Sequence, residues 1–149
     1  MSYFYNSLTN GNFSFVKLKC VLMKPVNFPH DYQQVMPYLI LKNAESFLEF
    51  TKKVFGATEK MKHMRDEKTV MHAEVKIGES VIMFAEATEQ WGAQTGGLFV
   101  YVEDADATYR KALEEGGTSI MEPADQEYGR SGGVSDPCGN SWWITSVKQ

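Results

Sequence analysis

Asp136-Pro137-Cys138-Gly139-Asn140-Ser141-Trp142-Trp143-Ile144 is a tight turn followed by an apolar run, and it has a counterpart 61 residues earlier. Gly78 stands against Gly139 and Ser80 against Ser141 at that offset. The same offset sets Asn43-Ala44-Glu45 against Asp104-Ala105-Asp106, and Gly56 against Gly117. An internal repeat organises a chain before any other signal does. Agreement in physical role strengthens these sparse identities.

Each half opens on a short β-rich run, Tyr38-Leu39-Ile40-Leu41 and Leu98-Phe99-Val100-Tyr101-Val102. Each run ends at a helix-cap candidate, Asn43 or Asp104, whose side chain can accept from an exposed backbone N–H. A helix follows, with Ala44, Phe47, Leu48, Thr51 and Phe55 as its inner stripe in the first half. Ala105, Thr108, Tyr109, Ala112 and Leu113 form the stripe in the second. Gly56, and Gly116 or Gly117, supply the helix ends. Three strands are then expected at 59–64, 70–77 and 80–86, and again at 119–122, 132–135 and 141–146. Gly78-Glu79 makes a hairpin turn, and Pro137 and Gly139 suit the longer turn of the second half.

The expected fold is therefore α+β. Two β-α-β-β-β modules, at about 35–87 and 97–147, form curved mixed sheets around a cleft with helices outside. A module of this size is too small to be stable alone, so residues 23–149 are expected to make a single domain. Residues 86–97 connect its halves.

Composition narrows the partners. The chain has 149 residues, with 15 Lys and Arg against 19 Asp and Glu, a net charge of −4. That lacks the basic excess of a nucleic-acid or anionic-membrane surface, so neither partner is expected. No run of about 20 apolar residues marks a membrane helix. Cys20 and Cys138 are too few for a disulfide framework and fit a reducing cytosol, so a cytoplasmic protein is expected. Residues 1–22 hold Lys17 and Lys19 and no acid, which leaves −6 on the remainder. This stretch is read as an appendage ahead of a natural start at Met23-Lys24-Pro25, or as an extra strand through Phe13-Ser14-Phe15-Val16.

Several stretches carry a resemblance. Val35-Met36-Pro37-Tyr38-Leu39, Phe55-Gly56-Ala57, His72-Ala73-Glu74-Val75, Tyr128-Gly129-Arg130 and the 136–144 segment occur in order. Together with the paired modules they resemble the vicinal oxygen chelate superfamily, in its PhnB-like branch. That superfamily includes glyoxalase I, extradiol dioxygenases and the fosfomycin- and bleomycin-resistance proteins. The resemblance covers about 35–146. It implies a divalent metal held by the first and last strands of each module. Counting back seven residues from Asn43 and Asp104 lands on Met36 and Gly97. Counting on four from Gly78 and Gly139 lands on Ile82 and Trp143. None of the four offers a hard oxygen or an imidazole nitrogen, so no metal and no other cofactor is expected.

Strand parity then assigns faces. With positions 36 and 82 turned into the cleft, Met36, Tyr38, Ile40, Ser80, Ile82 and Phe84 line it from module one. Phe99, Tyr101, Ser141, Trp143 and Thr145 line it from module two. Leu39, Leu41, Val81, Met83, Val100, Val102, Trp142 and Ile144 face the helices. Tyr38, Phe84, Phe99, Tyr101 and Trp143 are the candidate ligand-binding aromatics, or core filling. Arg130, in a glycine-rich stretch, is either an anion clamp or a salt bridge that orders its loop. His72 and Glu74 share the strand face opposite Ala73, Val75 and Ile77. They are the candidate catalytic pair, as acid and base or as displaced metal ligands, or else a partly solvated polar face. His63, His30 and Glu86 read as surface, loop and strand-end residues. Cys138 lacks the electropositive setting of a nucleophile.

The expected function is metal-independent binding of a small aromatic or amphipathic molecule in the cleft. A homodimer is expected, because related folds complete their clefts across a two-fold interface. The competing reading is a divalent-metal-dependent lyase or dioxygenase with displaced ligands around His72 and Glu74. A third is a cleft packed shut and used for protein contacts.

Overall fold

The computed structural model describes residues 26–147. The expectations for residues 1–22 and for a start at Met23 lie outside the described residues. Ten elements follow in the order β1 (Tyr38–Leu41), α1 (Ala44–Phe55), β2 (Thr58–Met64), β3 (Val70–Ile77), β4 (Ser80–Glu86), β5 (Gly97–Tyr101), α2 (Ala105–Glu114), β6 (Thr118–Gln126), β7 (Gly129–Ser135) and β8 (Ser141–Ser146). They form two four-stranded mixed sheets, ordered β1-β4-β3-β2 and β5-β8-β7-β6. The first strand of each module pairs in parallel with the last, and the other pairs are antiparallel. This is the expected pair of β-α-β-β-β modules in an α+β fold.

One core serves both modules. Phe47, Leu48, Val75, Ile82 and Phe84 from the first share a buried cluster with Tyr109, Ala112, Val134, Trp142 and Ile144 from the second. Trp142 is the bridge. Its ring centroid lies 4.5 Å from that of Phe55 and 6.2 Å from that of Phe47, both on α1. Each sheet thus turns one face toward the helices and this core, and leaves its other face open.

The two helices are capped differently. Asp104 is extended, and its carboxylate accepts from Ala107 N–H at 2.9 Å, as expected of a side-chain cap. Asn43 does not behave so. It sits at φ 62° and makes no side-chain cap bond. Its own N–H and that of Ala44 donate to the two oxygens of Glu86, each at 2.7 Å. The carboxylate that satisfies α1 therefore comes from β4, near the positive end of the helix dipole. The α1 C-terminus has the expected glycine, Gly56 at φ 64°, whose N–H donates to Lys52 O.

The 136–140 turn is held by one buried carboxylate. Asp136 accepts from Cys138 N–H, Asn140 N–H, Asn140 Nδ2 and Trp142 Nε1 at 2.8–2.9 Å. Asn140 in turn accepts from Gly96 N–H at 3.0 Å. The turn thereby fixes the bridging indole as well as the chain reversal.

The face assignment needs one correction, in β4. Tyr38 and Phe99, 61 residues apart, pair with Met83 and Trp143, which are 60 residues apart. The repeat register slips by one residue between β4 and β8. A one-residue slip turns every side chain over. Ile82 and Phe84 therefore face the helix, and Val81, Met83 and Ala85 face away. The differing hairpins are the local reason: Ile77 pairs with Ser80 across the short turn, whereas Ser135 pairs with Ser141 across the long one. Module two keeps the expected faces throughout.

Candidate functional site

On the open face of the first sheet, β1 supplies Tyr38 and Ile40, and β3 supplies His72, Glu74 and Lys76. A bulge between β2 and β3 also turns Met71 outward, next to the fully buried Val70. His72 and Glu74 do stand together here. With its Nε2 protonated, His72 donates to Glu74 Oε1 at 3.2 Å and accepts the Tyr38 hydroxyl at Nδ1 over 3.3 Å. The second carboxylate oxygen accepts from the Tyr32 hydroxyl at 2.6 Å. Tyr38, His72, Glu74 and Tyr32 thus form one hydrogen-bonded chain from the surface inward. Tyr38 is 50% exposed and Glu74 only 4%. The hydrogen bond to Glu74 pushes the Tyr32 phenol above its ordinary value. Lys60 lies over the Tyr32 ring at 4.2 Å and helps seat it.

The lead-in before β1 and the connector after β4 complete this face. Gln33 accepts from Val81 N–H at 3.0 Å and also donates to Glu79 O. Gln94 exchanges both backbone hydrogen bonds with Ile40, at 2.7 and 3.2 Å. A tight turn from Thr88 to Trp91 then sets the Trp91 indole at the rim. Tyr38, Met71, Arg65, Ala85 and Trp91 border a cavity of about 510 Å³. A second cavity, of about 440 Å³, opens between the modules beside Ile77, Ile82, Leu98, Val100 and Trp142.

The open face of the second sheet is aromatic. Phe99 and Tyr101 meet edge to face at 5.1 Å, and Tyr128 stands 6.3 Å from Phe99. Trp143 lies across Gly133 on the neighbouring strand. A Cβ on Gly133 would come within 2.8 Å of the indole. On the same face, Ser131 and Thr145 share a buried hydroxyl pair at 2.8 Å.

The structure places the expected site residues unevenly. Tyr38, Phe99, Tyr101 and Trp143 lie on open faces, and His72 and Glu74 meet. Phe84 does not belong with them. It is fully buried, with its ring 4.8 Å from that of Phe47, because of the register slip in β4. Arg130 is also elsewhere. It shares the helix side of β7 with Gly132 and Val134, and its guanidinium grips Asp106 in the first turn of α2, with Asp125 alongside. That pairing holds the Asp106 carboxyl below its usual range and the Arg130 guanidinium well above. Gly132 and Gly133 lie inside β7, not in a loop. Glu86 is spent on the α1 N-terminus, and His63 faces His72 across β2 and β3. His30 is exposed beside Asp31. Burial, with Asp136 adding to it, pushes the Cys138 thiol up to about 12, which keeps it protonated and unreactive.

The sequence reasoning missed Tyr32, Arg65, Met71, Trp91 and Gly133. Only Gly133 left a local signal, since paired glycines inside a strand mark a close approach.

A metal does not fit the positions that the resemblance singles out. Met36, Gly97, Ile82 and Trp143 lack hard donors, and Ile82 faces the core. Its open-face neighbours Val81, Met83 and Ala85 are no better. Among the described residues, no three His, Cys, Asp or Glu side chains gather closely enough to hold a metal ion. Nor is any described helix long and apolar enough to cross a membrane.

Comparison with known proteins agrees with this architecture. The uncharacterized protein Mb0911c of Mycobacterium bovis is 30% identical over 118 residues, covering 71% of this chain and 78% of its own. Among solved structures, a PhnB protein from Bacillus cereus superposes with a TM-score of 0.61 at 19% identity, over 77% of this chain and all of the other. TnmS3, an antibiotic binding protein from Streptomyces sp. CB03234, gives 0.61 at 16% identity, over 78% of this chain and all of its own. At these identities the structural likeness speaks for the fold. The profile of the Glyoxalase/Bleomycin resistance protein/Dioxygenase superfamily matches residues 33–144, and the chain belongs to that superfamily.

Proposed function

We propose that this protein binds a small aromatic or amphipathic molecule without a metal, in clefts completed across a homodimer. The observation that carries this reading is the exposure of Tyr38, Phe99 and Tyr101, at 50, 50 and 63%. They stand on sheet faces turned away from the chain's own core. Apolar rings left open in this way mark a surface that takes a ligand or a partner. A two-fold arrangement that sets the open face of one module against that of the partner's other module would enclose both. TnmS3, of the same fold, is an antibiotic binding protein, which is compatible with a ligand of this kind. The lack of hard donors at the positions just described supports metal independence.

The test uses protein purified without chelator or affinity metal. Bound metals are measured by mass spectrometry, Ni²⁺, Zn²⁺, Mn²⁺ and Fe²⁺ are titrated, and aromatic compounds are screened by thermal shift. The expected result is no stoichiometric metal, a dimer by light scattering, and stabilisation by aromatic compounds. Stoichiometric metal that disappears in His72→Ala would replace this reading with a metal-dependent lyase or dioxygenase built around His72 and Glu74.

A further inference from the structure

We infer that the cavity on the open face of the first sheet selects a planar aromatic anion, such as an aryl carboxylate, with Arg65 as the cation and Trp91 as the stacking surface. This rests on the binding reading above and names the ligand class that this module takes.

The walls of the cavity supply the argument. Trp91 and Met71 are 60 and 48% exposed at its rim, and Tyr38 borders the floor. An indole, a phenol ring and a thioether suit a flat π-system better than a flexible aliphatic chain.

The charge balance supplies the rest. Two residues charged at neutral pH line the cavity, Arg65 and Glu86. Both Glu86 oxygens are occupied by the Asn43 and Ala44 N–H groups, at the positive end of α1. Those two donors and the helix dipole offset its negative charge. The Asp66 carboxylate beside Arg65 is turned back onto Lys68 and Thr69 N–H, each at 2.9 Å. Glu74 is buried behind His72. Among the described residues Arg65 has no ion-pair partner. An uncommitted guanidinium beside an aromatic wall fits a carboxylate bidentately while the ring stacks alongside. Thr88 and Gln94, also in the wall, can bond further polar substituents.

The test is calorimetric titration of the full chain with three probes of one shape: 2-naphthoate, 2-naphthylmethanol and 2-naphthylmethylammonium. Naphthoate is expected to bind at least about tenfold more tightly than the alcohol, the size of one charge-assisted hydrogen-bonded pair, and the ammonium more weakly than both. Arg65→Gln should abolish the preference for naphthoate while leaving the alcohol's affinity unchanged. Lys76→Gln, a cation on the same sheet face but paired with Glu79, should leave the preference intact. Trp91→Ala should weaken naphthoate and alcohol alike. Equal affinity for naphthoate and alcohol, or a preference that survives Arg65→Gln, overturns the anion assignment and leaves the cleft-binding reading standing. Failure of all three probes to bind overturns both.

Discussion

The two modules share a topology and divide the chemistry. At equivalent ladder positions, Met83 is partnered by Glu74 in the first sheet and Trp143 by Gly133 in the second. One sheet thus carries a nearly buried carboxylate that anchors Tyr32, His72 and, through His72, Tyr38. The other carries an indole packed against a glycine. The caps divide in the same way. Glu86 and Ser146 end equivalent strands, and each accepts from the N-terminus of its own module's helix, Ser146 from Ala105 N–H at 3.4 Å. Only α2 also has a local cap. Duplication of a fold leaves its hydrogen-bonding requirements unchanged, and the two halves meet them with different residues.

The largest expected effect tests whether the halves are one unit. Trp142→Ala removes the bridge between α1 and the second sheet and should cost about 3–5 kcal/mol. Denaturation followed by circular dichroism and by tryptophan fluorescence should still show one coincident transition at a lower midpoint. Two separated transitions would mean that the modules fold independently.

The ladder contrast comes next. Gly133→Val forces a side chain into the Trp143 ring and should cost about 1–3 kcal/mol, with displacement of the indole. Glu74→Ala leaves Tyr32 and His72 without their acceptor and should cost a comparable roughly 1–3 kcal/mol. Only the second should move the ring resonances of His72 in NMR, since it removes the Glu74 acceptor. A change in His72 on Gly133→Val would show that the open faces communicate.

The caps should separate by a smaller margin. Glu86→Ala strips two backbone donors at once, and about 1–2 kcal/mol is expected, against about 1 kcal/mol for Asp104→Ala, where Ser146 remains. Equal losses in urea denaturation would remove the distinction between a cap from a distant strand and a local one.

The smallest effect concerns pH. Asp106 and Glu45 stand at equivalent helix positions, and each pairs with a strand cation, Arg130 on β7 and Lys62 on β2, the latter at 3.2 Å. The folded pKa of Asp106 is lowered, so its contribution is complete above the unfolded value of about 3.9 and is lost as pH falls through the folded value. Asp106→Asn should therefore flatten the acid limb of the stability curve below about pH 4. Lys62 is shifted upward by its hydrogen bond to Glu45. Its contribution is complete below the unfolded lysine value of about 10.4 and is lost as pH rises through the folded value. Lys62→Gln should lower stability below that value, by a few tenths of a kcal/mol for so exposed a pair, and flatten the alkaline limb. An unchanged alkaline limb in Lys62→Gln would break the comparison.

Much of this was legible along the chain, and the failures share a cause. The helical stripes, the Asp104 cap, the Gly56 terminus and the alternation of β3 are set within a few residues, and they stand where the pattern placed them. Carrying one offset across a hairpin whose two copies differ in length puts Phe84, Ile82 and Val81 on the wrong faces. An odd slip reverses a strand, so a correct strand received the wrong face. Arg130 was ambiguous for another reason. Its partner Asp106 is 24 residues away, and nothing local says that a helix start and a strand will meet there.

By itself, then, the sequence determined two β-α-β-β-β modules, their helices and the aromatic character of the second sheet, because periodicity and turn chemistry act over short distances. Tertiary structure alone decided that Glu86 would cap α1 across 43 residues and that Tyr32 would reach Glu74 across 42. It also decided that Arg65 and Trp91 would border one cavity. Such contacts depend on strand register and on how loops settle against sheet edges, which is fixed only when distant segments pair.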